Sequence, residues 1–83
     1  DIEVFKGLKL AYKAIQMQGN AATVYNAANE IAVEAFLNRN ISFLAISDWI
    51  EEALNRCTKI QQPTVSQIIE TQQEVNDYFR KQR

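Results

Sequence analysis

An all-α fold, arranged as an antiparallel four-helix bundle, is predicted by three features of this 83-residue chain. Apolar residues recur at i, i+3, i+4 and i+7 in four separate stretches, the period of a helix with one buried face. Only two glycines and one proline occur, and Gly19 and Pro63 fall between those stretches. The connections between the stretches are short, which favours antiparallel neighbours.

The first helix is expected from about Val4 to Gln18, with Leu8, Ala11, Tyr12 and Ile15 as its inner face. Gly7 weakens its interior by about 1 kcal/mol relative to alanine, and Gly19 suits the left-handed residue that ends a helix. The second is expected from Ala21 to Arg39, with Asn20 as N-cap, Val24, Ala28, Ile31 and Ala35 as inner stripe, and Asn40 as the left-handed stop. The turn "ISFLA" (41–45) follows; Ile41 and Phe43 are expected to tuck inward and Ser42 to cap the next helix.

The third helix is expected from Leu44 to Thr58. Ile46, Trp49, Ile50, Ala53, Leu54 and Cys57 keep the helical period, and Asp48, Glu51, Glu52 and Asn55 take the wet side. After "KIQQPT", Pro63 disfavours helix at Gln62, and Thr64 with Gln67 forms a capping-box signal. The fourth helix is expected from Val65 to about Arg80, with Val65, Ile68, Ile69, Val75 and Phe79 inside and Gln72 interrupting the stripe.

Composition narrows the possible functions. A chain this short is one domain, residues 1–83, and buries only about 60% of the surface it exposes when unfolded, so a deep walled cleft is not expected. A net charge of −1 and a pI near 5.3 supply no field for nucleic acid or an anionic membrane. No apolar run approaches the length of a membrane span. The single cysteine cannot form an internal disulfide, and there is no histidine, the commonest general base and metal ligand. The chain begins at Asp1 and is expected to be a piece of something longer.

Few residues are candidates for chemistry. Asn26, Glu30 and Glu34 share one helix face at i, i+4 and i+8 and could hold a hard cation such as Mg²⁺. A solvated stripe is the stronger reading, because metal sites in bundles draw ligands from several helices. Cys57, on the apolar face with Trp49 and Ala53 and without a histidine partner, reads as a buried inert thiol. Trp49 and Phe43 read as packing. The basic, aromatic tail "DYFRKQR" reads as a solvated helix end with charges that suit the helix dipole. No glycine-rich phosphate loop is present. No catalytic, cofactor-binding or metal residue is therefore assigned.

Two asparagines in "NAANEIAVEAF" (26–36) need another explanation, since asparagine is a poor residue for a helix interior. The second helix is apolar over most of its circumference, so it is expected to be central. A structural role follows for Asn26 and Asn29: their amides would bind irregular backbone in the turn 40–44 or the loop 58–64. Two further apolar stripes have no assigned partner within the bundle: Leu10, Ala14 and Met17 on the first helix, and Val33 and Leu37 on the second. Leu10, Met17, Val33 and Leu37 are thus the expected interdomain surface.

Four motifs in order carry a family resemblance. "FKGLKLAYKAI" (5–15), "NAANEIAVEAFL" (26–37), "ISFLAISDWIEEAL" (41–54) and "PTVSQIIETQQ" (63–73) together resemble the C-terminal helical domain of 1-deoxy-D-xylulose 5-phosphate reductoisomerase, over about Phe5 to Phe79. Lys6 stands where that family has a proline, and Gln72 where it has an aspartate. The resemblance implies a parent enzyme that uses NADPH and Mg²⁺ or Mn²⁺ to make 2-C-methyl-D-erythritol 4-phosphate for non-mevalonate isoprenoid synthesis. It implies a homodimer in a bacterial cytoplasm or a plastid. This chain's partner would be the catalytic domain of the same polypeptide, with the NADPH, metal and phosphate residues all lying outside these 83 positions. An independent helical interaction module is the alternative reading.

Overall fold

The computed structural model describes residues 2–82, without the side chains of Glu3, Lys81 and Gln82. Four helices follow one another: α1 (Ile2–Met17), α2 (Ala21–Leu37), α3 (Ala45–Arg56) and α4 (Val65–Gln82), with no strand among the described residues. The all-α four-helix bundle expected from periodicity is the fold observed.

Local chemistry sets most of the boundaries. α1 stops where Gln18 and Gly19 both turn left-handed, at φ +59° and +58°. A side chain at Gly19 would also meet the loop: an added Cβ would lie 2.0 Å from the Ile60 carbonyl oxygen. α2 ends in a Schellman arrangement, with Asn40 N–H donating to Ala35 O (2.8 Å) and Arg39 N–H to Phe36 O (2.9 Å). The left-handed residue there is Arg39, at φ +62°, one position before the expected Asn40. Ser42 does satisfy the first N–H of α3, its Oγ accepting from Ala45 at 3.2 Å, from two positions before the N-cap Leu44, which makes no side-chain capping bond. The capping box of α4 forms in both directions, Gln67 N–H to Thr64 Oγ1 (3.1 Å) and Thr64 N–H to Gln67 Oε1 (2.9 Å).

α2 is central, as its composition implied: it packs against α1, α3 and α4. Its buried residues are Ala21, Val24, Ala27, Ala28, Ala32 and Ala35, mostly alanines, so neighbouring helices can approach closely from several sides. Around it, α3 contributes Ile50, Ala53 and Leu54, with Trp49 and Ile46 packed alongside, and Cys57 joins the core just past the end of the helix. α4 contributes Val75 and Phe79. The Phe79 ring stacks on Trp49 with centroids 4.8 Å apart and planes 8° from parallel, which joins α4 to α3. Removing a fully buried side chain such as Leu54 from water stabilises the fold by about 1.5–3 kcal/mol.

Three expected faces differ. On α1 the inner residues are Leu10, Ala14 and Met17, whereas Leu8, Tyr12 and Ile15 are exposed. Leu10, at 4% exposure, and the partly buried Met17 therefore belong to this core and are not free interdomain surface. Two exposed polar contacts flank that arc on the α3 side: Lys6 pairs with Asp48, and Lys13 Nζ reaches Asn55 Oδ1 at 3.2 Å. On α4, Val65 and Ile69 are exposed and Thr71 completes the stripe between Ile68 and Val75, so Gln72 interrupts nothing. Phe43 does not tuck inward; it is exposed and meets the edge of Phe36 at a centroid distance of 5.6 Å.

Candidate functional site

The most concentrated polar arrangement in the interior is built around Asn20. Its chain position is an N-cap, with its carbonyl accepting the Val24 N–H, yet its side chain makes no capping hydrogen bond. The side chain turns away from the helix end and is 3% exposed. Asn20 Nδ2 donates to Thr58 O (2.8 Å) and to Thr71 Oγ1 (3.0 Å), and Asn20 Oδ1 accepts the Ile60 N–H (3.0 Å). The Asn20 N–H donates in turn to Ile60 O at 2.9 Å. One residue thus pairs with Ile60 through both main chain and side chain, and ties the 58–64 loop to α4.

The remaining polar groups of this latch are satisfied. Thr71 is 2% exposed, and its hydroxyl donates back to Gln67 O at 2.8 Å. At the start of the loop, the Glu74 carboxylate accepts from the Thr58 N–H (3.0 Å) and from Thr58 Oγ1 (3.1 Å). The amide of Asn20 and the hydroxyl of Thr71 are thus spent on organising the backbone of the loop and α4.

The expected role of a buried amide holding the 58–64 loop is therefore found, but on a different residue. Asn26 is exposed and Asn29 half-buried, and neither side chain hydrogen-bonds to loop backbone among the described residues. Asn26 and Glu30 border a shallow groove faced by Gln72 and Asn76 of α4. A signal for Asn20 and Thr71 existed in the sequence: Thr71 lies three residues after Ile68 and four before Val75, on the apolar stripe. A lone hydroxyl in a buried stripe requires a partner.

The other candidates separate clearly. Asn26, Glu30 and Glu34 lie along exposed α2 surface. Among the described residues no group of three His, Cys, Asp or Glu side chains is placed to hold a metal ion, so the residues present do not fit the divalent metal that the resemblance implies for the parent enzyme. The Cys57 thiol is buried and pushed up to about 11, first by burial, then by the Glu74 carboxylate, against a smaller opposing effect of Lys59. Such a thiol is a poor nucleophile near neutral pH. In the tail, Phe79 is core, and the Tyr78 phenol donates to the Glu52 carboxylate, which raises its pKa. Arg83 and the side chains of Lys81 and Gln82 lie outside the described residues. Val33 is half-buried and Leu37 exposed. No described helix is long and apolar enough to cross a membrane.

Comparison with known proteins agrees with the sequence motifs. The DXP reductoisomerase C-terminal domain family matches residues 1–78. Among curated proteins, the 1-deoxy-D-xylulose 5-phosphate reductoisomerase of Lachnospira eligens is 54% identical over 93% of this chain and 20% of its own length. Those of Lachnoclostridium phytofermentans and Thermoanaerobacter sp. are 44% and 46% identical over 99% and 98% of the chain, each over 21% of the relative. The chain thus spans about one fifth of the length of these relatives. No solved structure matches it. With its four helices and a family match over nearly its whole length, the chain belongs to the DXP reductoisomerase C-terminal domain family.

Proposed function

We propose that this chain is the C-terminal structural domain of a 1-deoxy-D-xylulose 5-phosphate reductoisomerase, and that it supports the catalytic domain of the same polypeptide without supplying groups to the reaction. The family match over residues 1–78 carries this reading. The side chains support it: the interior amide and hydroxyl groups are used within the fold, and the thiol is held protonated. In this reading the parent enzyme is an NADPH-dependent oxidoreductase of isoprenoid biosynthesis and a homodimer. It uses Mg²⁺ or Mn²⁺, and its cofactor, metal and substrate residues lie in the rest of the polypeptide.

Two measurements test the proposal. Titration calorimetry of the 83-residue chain with NADPH and Mg²⁺ should give no saturable heat; micromolar binding would overturn the inactive-domain reading. The full-length enzyme lacking this segment should lose activity together with thermal stability. A truncated enzyme that keeps both would show that the segment supports nothing.

A further inference from the structure

α1 carries more apolar surface than its own bundle uses. Its contribution to the core is the arc of Leu10, Ala14 and Met17. On the far side, Val4, Phe5, Leu8, Tyr12 and Ile15 are all more than half exposed, with Phe5 and Tyr12 at 66% and Ile15 at 68%. At about 100° per residue these five side chains and Ala11 fill a continuous arc of about 120° without a charged or polar residue among them. Scattered exposed apolar residues are ordinary, whereas a contiguous apolar face on one helix marks a contact surface.

We infer that this outer arc of α1 is the surface on which the preceding part of the reductoisomerase polypeptide packs. The inference rests on the proposed function and adds the location of the contact. The occupant follows from two observations. The chain matches a C-terminal domain and covers only about a fifth of its relatives, so in them most of the polypeptide lies outside this span. The size of the arc points the same way. Its exposed portions amount to about 600 Å², or about 1,200 Å² counting both sides, within the range of contacts between domains of one chain and at the low end for two free chains. A contact of that size is much more effective when a covalent tether removes the cost of bringing the partners together.

The test uses the full-length enzyme carrying this sequence, with carbene or hydroxyl-radical footprinting of single aromatic side chains. Phe5 and Tyr12 should be protected to the level of buried Phe79, at every protein concentration, and Leu8→Gln with Ile15→Gln should lower the thermal midpoint and restore labelling of Tyr12. Strong labelling of Phe5 and Tyr12 with protection of Phe43 would overturn the inference while leaving the supporting role intact, since the domain would then dock through its α2–α3 turn. Strong labelling of all three would remove the docked-domain reading itself. Protection that appears only as concentration rises would assign the arc to a second copy and also overturn the inference.

Discussion

Asn20→Ala removes three side-chain hydrogen bonds from a site that is 3% exposed. Their losses are not equal. The Ile60 N–H would be left without an acceptor in a partly buried position, a cost of about 1–3 kcal/mol. The Thr58 carbonyl belongs to an exposed residue, so water can replace the lost donor at little cost. Thr71 Oγ1 keeps its donation to Gln67 O and loses only one accepted bond, about 0.5–1 kcal/mol. The expected total is about 1.5–4 kcal/mol, a large share of the roughly 4–12 kcal/mol available to a chain of this length. With a urea slope of about 1 kcal/mol/M, the unfolding midpoint should fall by about 1.5–4 M, read by the circular-dichroism signal of the helices. Thr71→Val removes both the interhelical bond from Asn20 and the hydroxyl's bond to Gln67 O, and should cost about 1 kcal/mol, with a positive coupling to Asn20→Ala in a double-mutant cycle. Asn29→Ala and Asn26→Ala should change stability by less than about 0.5 kcal/mol, since neither amide holds the loop and alanine is the better helix former. If Asn20→Ala shifts the midpoint no further than Asn26→Ala, the latch contributes nothing and the reasoning is wrong.

Two other predictions concern the same end of the bundle. Gly19→Ala combines a left-handed backbone, φ +58°, with a Cβ placed 2.0 Å from Ile60 O, so the loop must move and the Asn20–Ile60 pairing with it; a cost above about 2 kcal/mol is expected, and a midpoint within error of the parent would refute the close approach. Cys57 should resist alkylation in the native state. At pH 8 a thiol held near 11 has a thiolate fraction about a hundredfold below that of an ordinary thiol; greater basicity returns about tenfold in nucleophilicity, so ionisation alone slows iodoacetamide about tenfold before burial is counted. Because the folded chain holds this proton more tightly than the unfolded chain, the thiol's contribution is complete below the ordinary thiol pKa and is lost as pH rises toward about 11. Cys57→Ala should flatten the fall of stability over that window, and an unchanged slope would show that the thiol is not linked to folding.

The parts of this fold that could be read from sequence are those decided within a few residues. The Thr64–Gln67 capping box and the Ser42 cap both join residues three apart, and both form as expected. α3 was legible because every position on its wet side is polar and the core side is apolar apart from Ser47, leaving one orientation that buries the right atoms. α1 offers two apolar arcs, and periodicity cannot choose between them. The choice is made by how Leu10, Ala14 and Met17 fit against α2 and α3, helices formed further along the chain, with the exposed Lys6–Asp48 and Lys13–Asn55 contacts lying on the same side. Asn20 was legible as the start of a helix, but the partners of its side chain lie 38 to 51 residues away at Thr58, Ile60 and Thr71. A buried amide with three distant partners leaves no local pattern; only the unexplained hydroxyl of Thr71 in an apolar stripe points to it. The same reversal on α1 that removed Leu10 and Met17 from the interdomain surface exposes Phe5, Leu8, Tyr12 and Ile15. An excess of apolar surface on the first helix was readable in the sequence; which arc turns inward depends on packing against α2 and α3, which no pattern within α1 encodes.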